Sequence, residues 1–142
     1  MERAFWDSSS LIPLCVRQTS TPAVEALSEK LLKVVWWGAC VEIQGSFARL
    51  ERMGLLPSSM RVQAQVRLDH LRRTWREIEP TYNLRDRAEV HVERFGLTGA
   101  DAFQLAAAWT WCSGSPHNRP FVSGDRQLIE AAELLGFKIV KT

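Results

Sequence analysis

Cysteine is scarce in this chain and poorly placed for pairing. Cys15, Cys40 and Cys112 are odd in number and far apart, and neither a CxxC pair nor a Cys/His set at zinc spacing occurs. This argues against a disulfide framework and against zinc, and reduced thiols in a cytoplasmic protein are expected. Long apolar runs are also missing. Residues 1–10, MERAFWDSSS, mix acid and base without the apolar stretch of a secretory leader. The longest uncharged stretch, Ala102–Pro116, holds Gln, Ser and Gly and is shorter than the roughly 20 apolar residues of a membrane span. No repeat, low-complexity tract or Gly/Ser-rich linker divides the chain, so a single domain over residues 1–142 is expected. Charge of one sign does not dominate either. The formal net charge of +2 neither demands nor excludes nucleic acid, although most of the 18 basic residues are Arg, the side chain best matched to phosphate.

What is present is ample core material: 46% hydrophobic residues, with six Trp and six Phe, in a chain of 142 residues. Short runs rich in aromatic and β-branched residues predict strands at Arg3–Trp6, Val34–Trp37, Pro120–Val122 and Phe137–Val140. Helical patterns separate them. Ala64, Leu68, Leu71, Trp75 and Ile78 form a stripe that predicts a helix over Ser58–Glu79, ended by Pro80, and Ile43, Phe47 and Leu50 predict another over Cys40–Met53. Thr98 and Asp101 have capping-box spacing and open a helix running to about Cys112 with a small-residue face, Ala102, Ala106 and Ala107. The last unit reads as strand, turn at Gly124–Asp125, helix over Leu128–Leu135, Gly136 as C-cap, strand. Strands alternating with helices imply an α/β fold of three layers: a central parallel sheet of four to five strands, flanked by helices on both faces. On such a sheet Trp36 and Trp37 are both expected to be buried, whereas Trp109 and Trp111 cannot share one side of a helix.

Four acids stand out against this frame. Each has an ordinary reading: Asp7, before Ser8 and Ser9, as an N-cap; Glu42 as a first-turn acid favoured by the helix dipole; Asp101 as part of a capping box; Asp125 as the cap of the last helix. Yet each follows a strand or opens a helix, and in a parallel sheet such positions gather at the carboxyl edge, where open α/β folds bind ligands. Four carboxylates in one cleft raise one another's pKa unless a cation is present. Carboxylates alone suit Mg²⁺ or Mn²⁺, one ion or two, and the matching chemistry is phosphodiester hydrolysis.

The stretches around these acids, Phe5-Trp-Asp7-Ser-Ser-Ser-Leu11, Ala39-Cys-Val-Glu42-Ile, Leu97-Thr-Gly-Ala-Asp101 through Ala107, and Phe121-Val-Ser-Gly-Asp125-Arg-Gln-Leu, resemble in their order and spacing the PIN-domain ribonucleases, and specifically the VapC-type toxins of toxin–antitoxin pairs. The resemblance implies a PIN-like fold, an acid site of Asp7, Glu42, Asp101 and Asp125 around one or two Mg²⁺ or Mn²⁺ ions, and endonucleolytic cleavage of RNA to 5′-phosphate and 3′-hydroxyl ends. Within it, Asp7 and Asp101 hold the first metal, and Glu42 and Asp125 act through water or hold a second. Ser123, two residues before the last Asp, and Ser8, after the first, are expected to support the metal site by hydrogen bonding. The chain departs from the family at Gly38 and Cys40, where a hydroxyl residue is often found, and at Gln104, which stands in place of a common His.

An RNA substrate needs positive charge near the acids. Arg126, adjacent to Asp125, is the first candidate, followed by Arg49, Arg52 and Arg119; His117 and Asn118 sit in a polar loop that could touch substrate. The resemblance also implies a homodimer and a cognate antitoxin protein that enters the acidic site. Two rival readings remain: a catalytically silent PIN-like module that binds RNA or protein, and a receiver-like signalling domain. Receiver-like domains carry an adjacent acidic pair near the start, where this chain offers Asp7 alone among serines.

Overall fold

In a computed structural model describing residues 1–142, the chain runs β1 (Glu2–Trp6), α1 (Ser8–Leu11), a 3₁₀ turn (Ile12–Leu14), α2 (Thr21–Lys30), β2 (Leu31–Trp36), α3 (Ala39–Arg52) and α4 (Ser58–Arg72). It continues with β3 (Arg76–Ile78), α5 (Tyr82–Phe95), α6 (Gly99–Trp111), β4 (Pro120–Ser123), α7 (Arg126–Leu135) and β5 (Lys138–Lys141). The five strands form one sheet in the order β3-β2-β1-β4-β5, every pairing parallel. The α/β fold expected from alternating strands and helices is therefore the one adopted. No helix is long and apolar enough to cross a membrane.

Side chains that alternate along each strand feed two cores. Phe5, Val34, Trp36 and Phe121 pack under α5, α6 and α7 on one face. Ala4, Trp6, Val35 and Val122 pack under α1 to α4 on the other. Phe5 stacks on Phe121 across the β1–β4 pair, ring centroids 5.5 Å apart. The small-residue side of α6 lets that helix lie close to the sheet, with Ala102, Ala106 and Ala107 fully buried.

The helix predicted over Ser58–Glu79 is shorter than its apolar stripe. It ends at Arg72, and the chain then forms β3 on the edge of the sheet, paired with β2 through Val34↔Arg76, Val35↔Glu77 and Trp36↔Ile78. Trp75 and Ile78 keep the helical spacing by coincidence; both are buried, one before a strand and one within it. Two helices had no pattern singled out in the sequence. α2 has Pro in its first turn, and α5 is capped by the Thr81 hydroxyl, which accepts from Leu84 N. Gly136 ends α7 at φ +106°, the left-handed C-cap its position predicts.

Trp36 and Trp37 part company. The strand stops at Trp36, which is buried, while Trp37 lies beyond the covered part of the sheet and is 52% exposed. Trp109 and Trp111 do face different ways: Trp109 meets His91 edge-on under the Arg87 guanidinium, and Trp111 lies under Arg119.

Candidate active site

The chain reverses its direction of travel across the sheet at β1. From there β2 and β3 extend one way, and after the long return through α3 to α6, β4 and β5 extend the other. The carboxyl ends of β1 and β4 thus flank the topological switch point, where the first turns of the following helices diverge and leave a crevice. Asp7 is the residue after β1, and Asp125 lies two residues after the end of β4. Their backbones are tied together, since Asp7 N donates to Val122 O at 3.0 Å. Glu42 comes from the first turn of α3 and Asp101 from the first turn of α6. All four carboxylates line one cavity of about 100 Å³, with Ser8, Ser9 and Ser46 between them and Ile12 and Ile43 as apolar wall.

The cap readings hold in part. Asp125 does cap α7, its side chain accepting from Leu128 N at 3.2 Å. Thr98 caps α6 by accepting from Asp101 N, which leaves the Asp101 carboxylate free of that duty. Asp7 sits at the N-cap position of α1 but makes no side-chain cap bond. Its Oδ2 instead accepts from Ser9 Oγ at 2.6 Å and from Ser123 Oγ at 3.0 Å. The Ser123 hydroxyl also accepts from Asp125 N at 3.0 Å, so one residue at the end of β4 positions two of the four acids.

Burial raises the Asp7 pKa despite those two hydrogen bonds, and Asp125 adds a smaller push in the same direction. Glu42 is pushed up to about 7, chiefly by burial, with Asp7 and Asp101 adding to it and the Gln104 bond opposing. Asp101 is pushed up to about 6, again first by burial and then by Asp125 and Asp7. Burial first, and like-charge repulsion after it, therefore disfavour the charged forms of Asp7, Glu42 and Asp101.

Gln104 does more than its sequence position indicates. It is fully buried, and its Nε2 donates to Ser8 Oγ and to both oxygens of Glu42, at 3.3 and 3.2 Å. It joins α6, α1 and α3 beneath the cavity. Its sequence signal was a polar residue on an otherwise small and apolar helix face. Ser9 had no signal beyond its place next to Asp7.

The candidate arginines are not gathered around the acids. Arg126 is nearest in the chain, but its side chain is 92% exposed and reaches toward Glu130 at 3.4 Å. Arg49 and Arg52 are exposed in the last turn of α3, seven and ten residues beyond Glu42, roughly 10–15 Å along the helix at about 1.5 Å per residue. Arg119 precedes β4 and lines a hollow with Met1, Arg3 and Trp111 at the amino edge of the sheet, opposite the acids. His117 and Asn118 belong to that same far side, so the loop they occupy does not border the acid cavity.

Fold and site together define a class: a three-layer parallel α/β domain with a carboxylate cavity at its switch point. Its strand order differs from the 2-1-3-4-5 order of receiver-type domains, which removes that rival on topology. No protein-family profile matches the sequence, and no curated protein is detectably similar to it. Solved structures do share the fold. A chain of a toxin–antitoxin complex from Klebsiella pneumoniae superposes with a TM-score of 0.61 at 15% identity, over 86% of this chain and 86% of that one. A chain of VapBC2 from Rickettsia felis, bound to a DNA fragment from its promoter, superposes with a TM-score of 0.64 at 12% identity over 97% of both chains.

Proposed function

We propose that this chain is a divalent-metal-dependent endoribonuclease and the toxin half of a toxin–antitoxin pair. The observation that carries this reading is the meeting of Asp7, Glu42, Asp101 and Asp125 around one small cavity at the switch point. A set of acids with raised pKa values is costly unless a cation offsets their charge. Carboxylate and hydroxyl oxygens without His or Cys suit Mg²⁺ or Mn²⁺. No three of the acids stand at the spacing of a preformed three-ligand site. A cavity of about 100 Å³ leaves room for waters to complete the coordination, as Mg²⁺ commonly requires. The donor set thus fits the ion, with Asp7 and Asp101 as direct ligands and Glu42 and Asp125 acting through water or holding a second ion. Such an ion, when bound, stabilises charge at phosphorus and lowers the pKa of the attacking water.

The chain's own contribution is placement. Ser9 and Ser123 fix Asp7, Ser123 also fixes the backbone at Asp125, and Gln104 holds Glu42 and Ser8. These bonds exist before any substrate arrives, so binding spends little free energy on ordering the acids. RNA as substrate rests on the resemblance of the acid-bearing stretches to PIN-domain ribonucleases. The structural likeness to chains of toxin–antitoxin complexes supports an antitoxin protein as partner, and a homodimer belongs to the same reading.

The test is incubation of the purified protein with single-stranded RNA. Cleavage is expected with Mn²⁺ or Mg²⁺, is abolished by EDTA, and leaves 5′-phosphate ends. Asp7→Asn and Asp101→Asn each remove charge and little volume, so activity should fall on the order of 10²-fold or more while the melting curve stays cooperative. Full activity in both variants would sink the assignment of the acids. Absence of cleavage by the native chain, with RNA still bound, would favour the silent binding module.

A further inference from the structure

Beside the acid cavity, at the carboxyl ends of β2 and β3, lies a larger hollow of about 740 Å³ with a different character. Its lining includes Trp36, Trp37, Pro80, Tyr82, Arg85 and Phe103. Trp36 stacks on Phe103, the rings 5.2 Å apart and inclined by 4°, and Trp37 stands edge-on to Trp36 at 6.2 Å and 70°. Trp37 is 52% exposed and Tyr82 is 77% exposed, so two aromatic side chains of the hollow reach solvent. The Arg85 guanidinium lies over the Tyr82 ring at 5.0 Å. Gly38 keeps the floor open: a Cβ there would stand 2.7 Å from Trp36 Nε1.

The hollow and the acid cavity are separate, with no lining residue in common, and the start of α3 links them at the same edge of the sheet. Gly38 precedes α3, which carries Glu42 four residues later, about 6 Å along the axis at 1.5 Å per residue. Phe103, on α6 two residues beyond Asp101, projects from another side of that helix and lines the hollow rather than the acid cavity. Aromatic faces beside a guanidinium, next to a site that takes a phosphodiester, match the way single-stranded RNA is gripped: bases splay out and stack on aromatic rings or on Arg. The guanidinium of Arg85 in this aromatic lining complements a negatively charged strand, whereas an apolar peptide would gain nothing from it.

We propose that the Trp36–Trp37–Tyr82–Arg85 hollow is a nucleobase subsite, which stacks one unpaired base of the RNA strand whose phosphate lies among the four acids. The inference rests on the ribonuclease reading and adds the place on this chain where a base near the cut is held. Trp37 supplies the principal stacking face, Tyr82 the second, and Arg85 the phosphate or base contact.

The test measures the affinity of a fluorescent single-stranded oligoribonucleotide by anisotropy, with the protein carrying Asp7→Asn to prevent turnover. Cleavage is followed in parallel with the native acids. Adding Trp37→Ala should weaken binding by about 5- to 150-fold, the span that corresponds to the loss of one stacked base. Trp37→Phe should bind close to the parent protein, and an abasic nucleotide at the contacted position should erase the difference between parent and Trp37→Ala. Half-exposed Trp37 is outside both cores, so unchanged melting separates these effects from misfolding. Equal RNA affinity in the parent, Trp37→Ala and Tyr82→Ala overturns the subsite. If the same variants instead convert a dimer to a monomer in sedimentation, the hollow is an interface between copies of this chain. Cleavage that survives with unaltered affinity brings down the subsite alone; a native protein that neither binds nor cleaves RNA brings down the ribonuclease reading with it.

Discussion

Three uncharged residues, Ser9, Gln104 and Ser123, hold the carboxylates of the four-acid cavity by hydrogen bonds. A buried amide that donates to Glu42 favours that carboxylate's charged form, partly opposing the desolvation that pushes its pKa up to about 7. Gln104 Oε1, by contrast, is buried and has no partner. Gln104→Leu keeps most of the volume, removes that orphan acceptor and removes the donor to Glu42. Stability is expected to stay within about 2 kcal/mol of the parent. Cleavage and Mn²⁺ affinity should each fall about 10- to 100-fold, the usual cost of losing a partner of a ligating group. A variant with unaltered cleavage in a metal titration would assign Gln104 to packing alone. The partners of Gln104 do not follow from the sequence, where it is a polar residue among alanines standing in place of a common His. Its partners Ser8 and Glu42 lie 96 and 62 residues away and meet it only in the folded chain.

At the scale of elements, helix starts explain why the acids are where they are. A helix N-terminus tolerates a carboxylate, and a parallel sheet places successive helix starts at one edge. Asp125 shows the two roles combined, capping α7 while facing the cavity. They can be separated. Asp125→Ser retains a side-chain acceptor for Leu128 N and removes the carboxylate, so thermal stability should change by less than about 0.5 kcal/mol, whereas Asp125→Ala should cost about 1 kcal/mol. Both variants are expected to lose cleavage alike, measured as initial rate under saturating Mn²⁺. Four of the five strands were legible because their aromatic and β-branched runs are local signals. β3 was not, since Arg76–Ile78 is three residues long and continues the helical spacing of α4. Its conformation is settled by the edge that β2 offers it, a non-local pairing.

For the whole molecule, the burial of the acids couples stability to pH and, on the metal-dependent reading proposed above, to divalent metal. Glu42 and Asp101 have folded-state pKa values of about 7 and about 6, against ordinary values of 4.5 and 3.8. A folded state that binds protons more tightly than the unfolded chain has its full benefit below the unfolded values and loses it as pH rises through the folded ones. In EDTA the melting temperature is therefore expected to fall between about pH 4 and pH 7 on account of these groups. The Glu42→Gln, Asp101→Asn double variant should flatten that slope. Mn²⁺ at about a hundred times its dissociation constant should add about 2.7 kcal/mol to the native protein at pH 8. It should add much less at pH 5, where protons compete for the same oxygens. A pH-independent melting temperature in EDTA would contradict the mutual burial of the acids.

The sequence by itself determined the layer architecture, four of the strands and the four acids with their family likeness, because periodicity, caps and short motifs are properties of neighbouring residues. Only the tertiary structure decided that those acids face one cavity, that Gln104 holds Glu42 beneath it, and that Arg119 and the His117 loop lie at the opposite edge. It also decided that Trp36 is covered while Trp37 opens toward solvent next to Tyr82, a residue 45 positions further along the chain. The physical reason is common to all of these. Hydrophobic spacing says which face of an element turns inward, but which residues meet at the end of a strand depends on the strand order, and that order is settled by packing across the whole sheet.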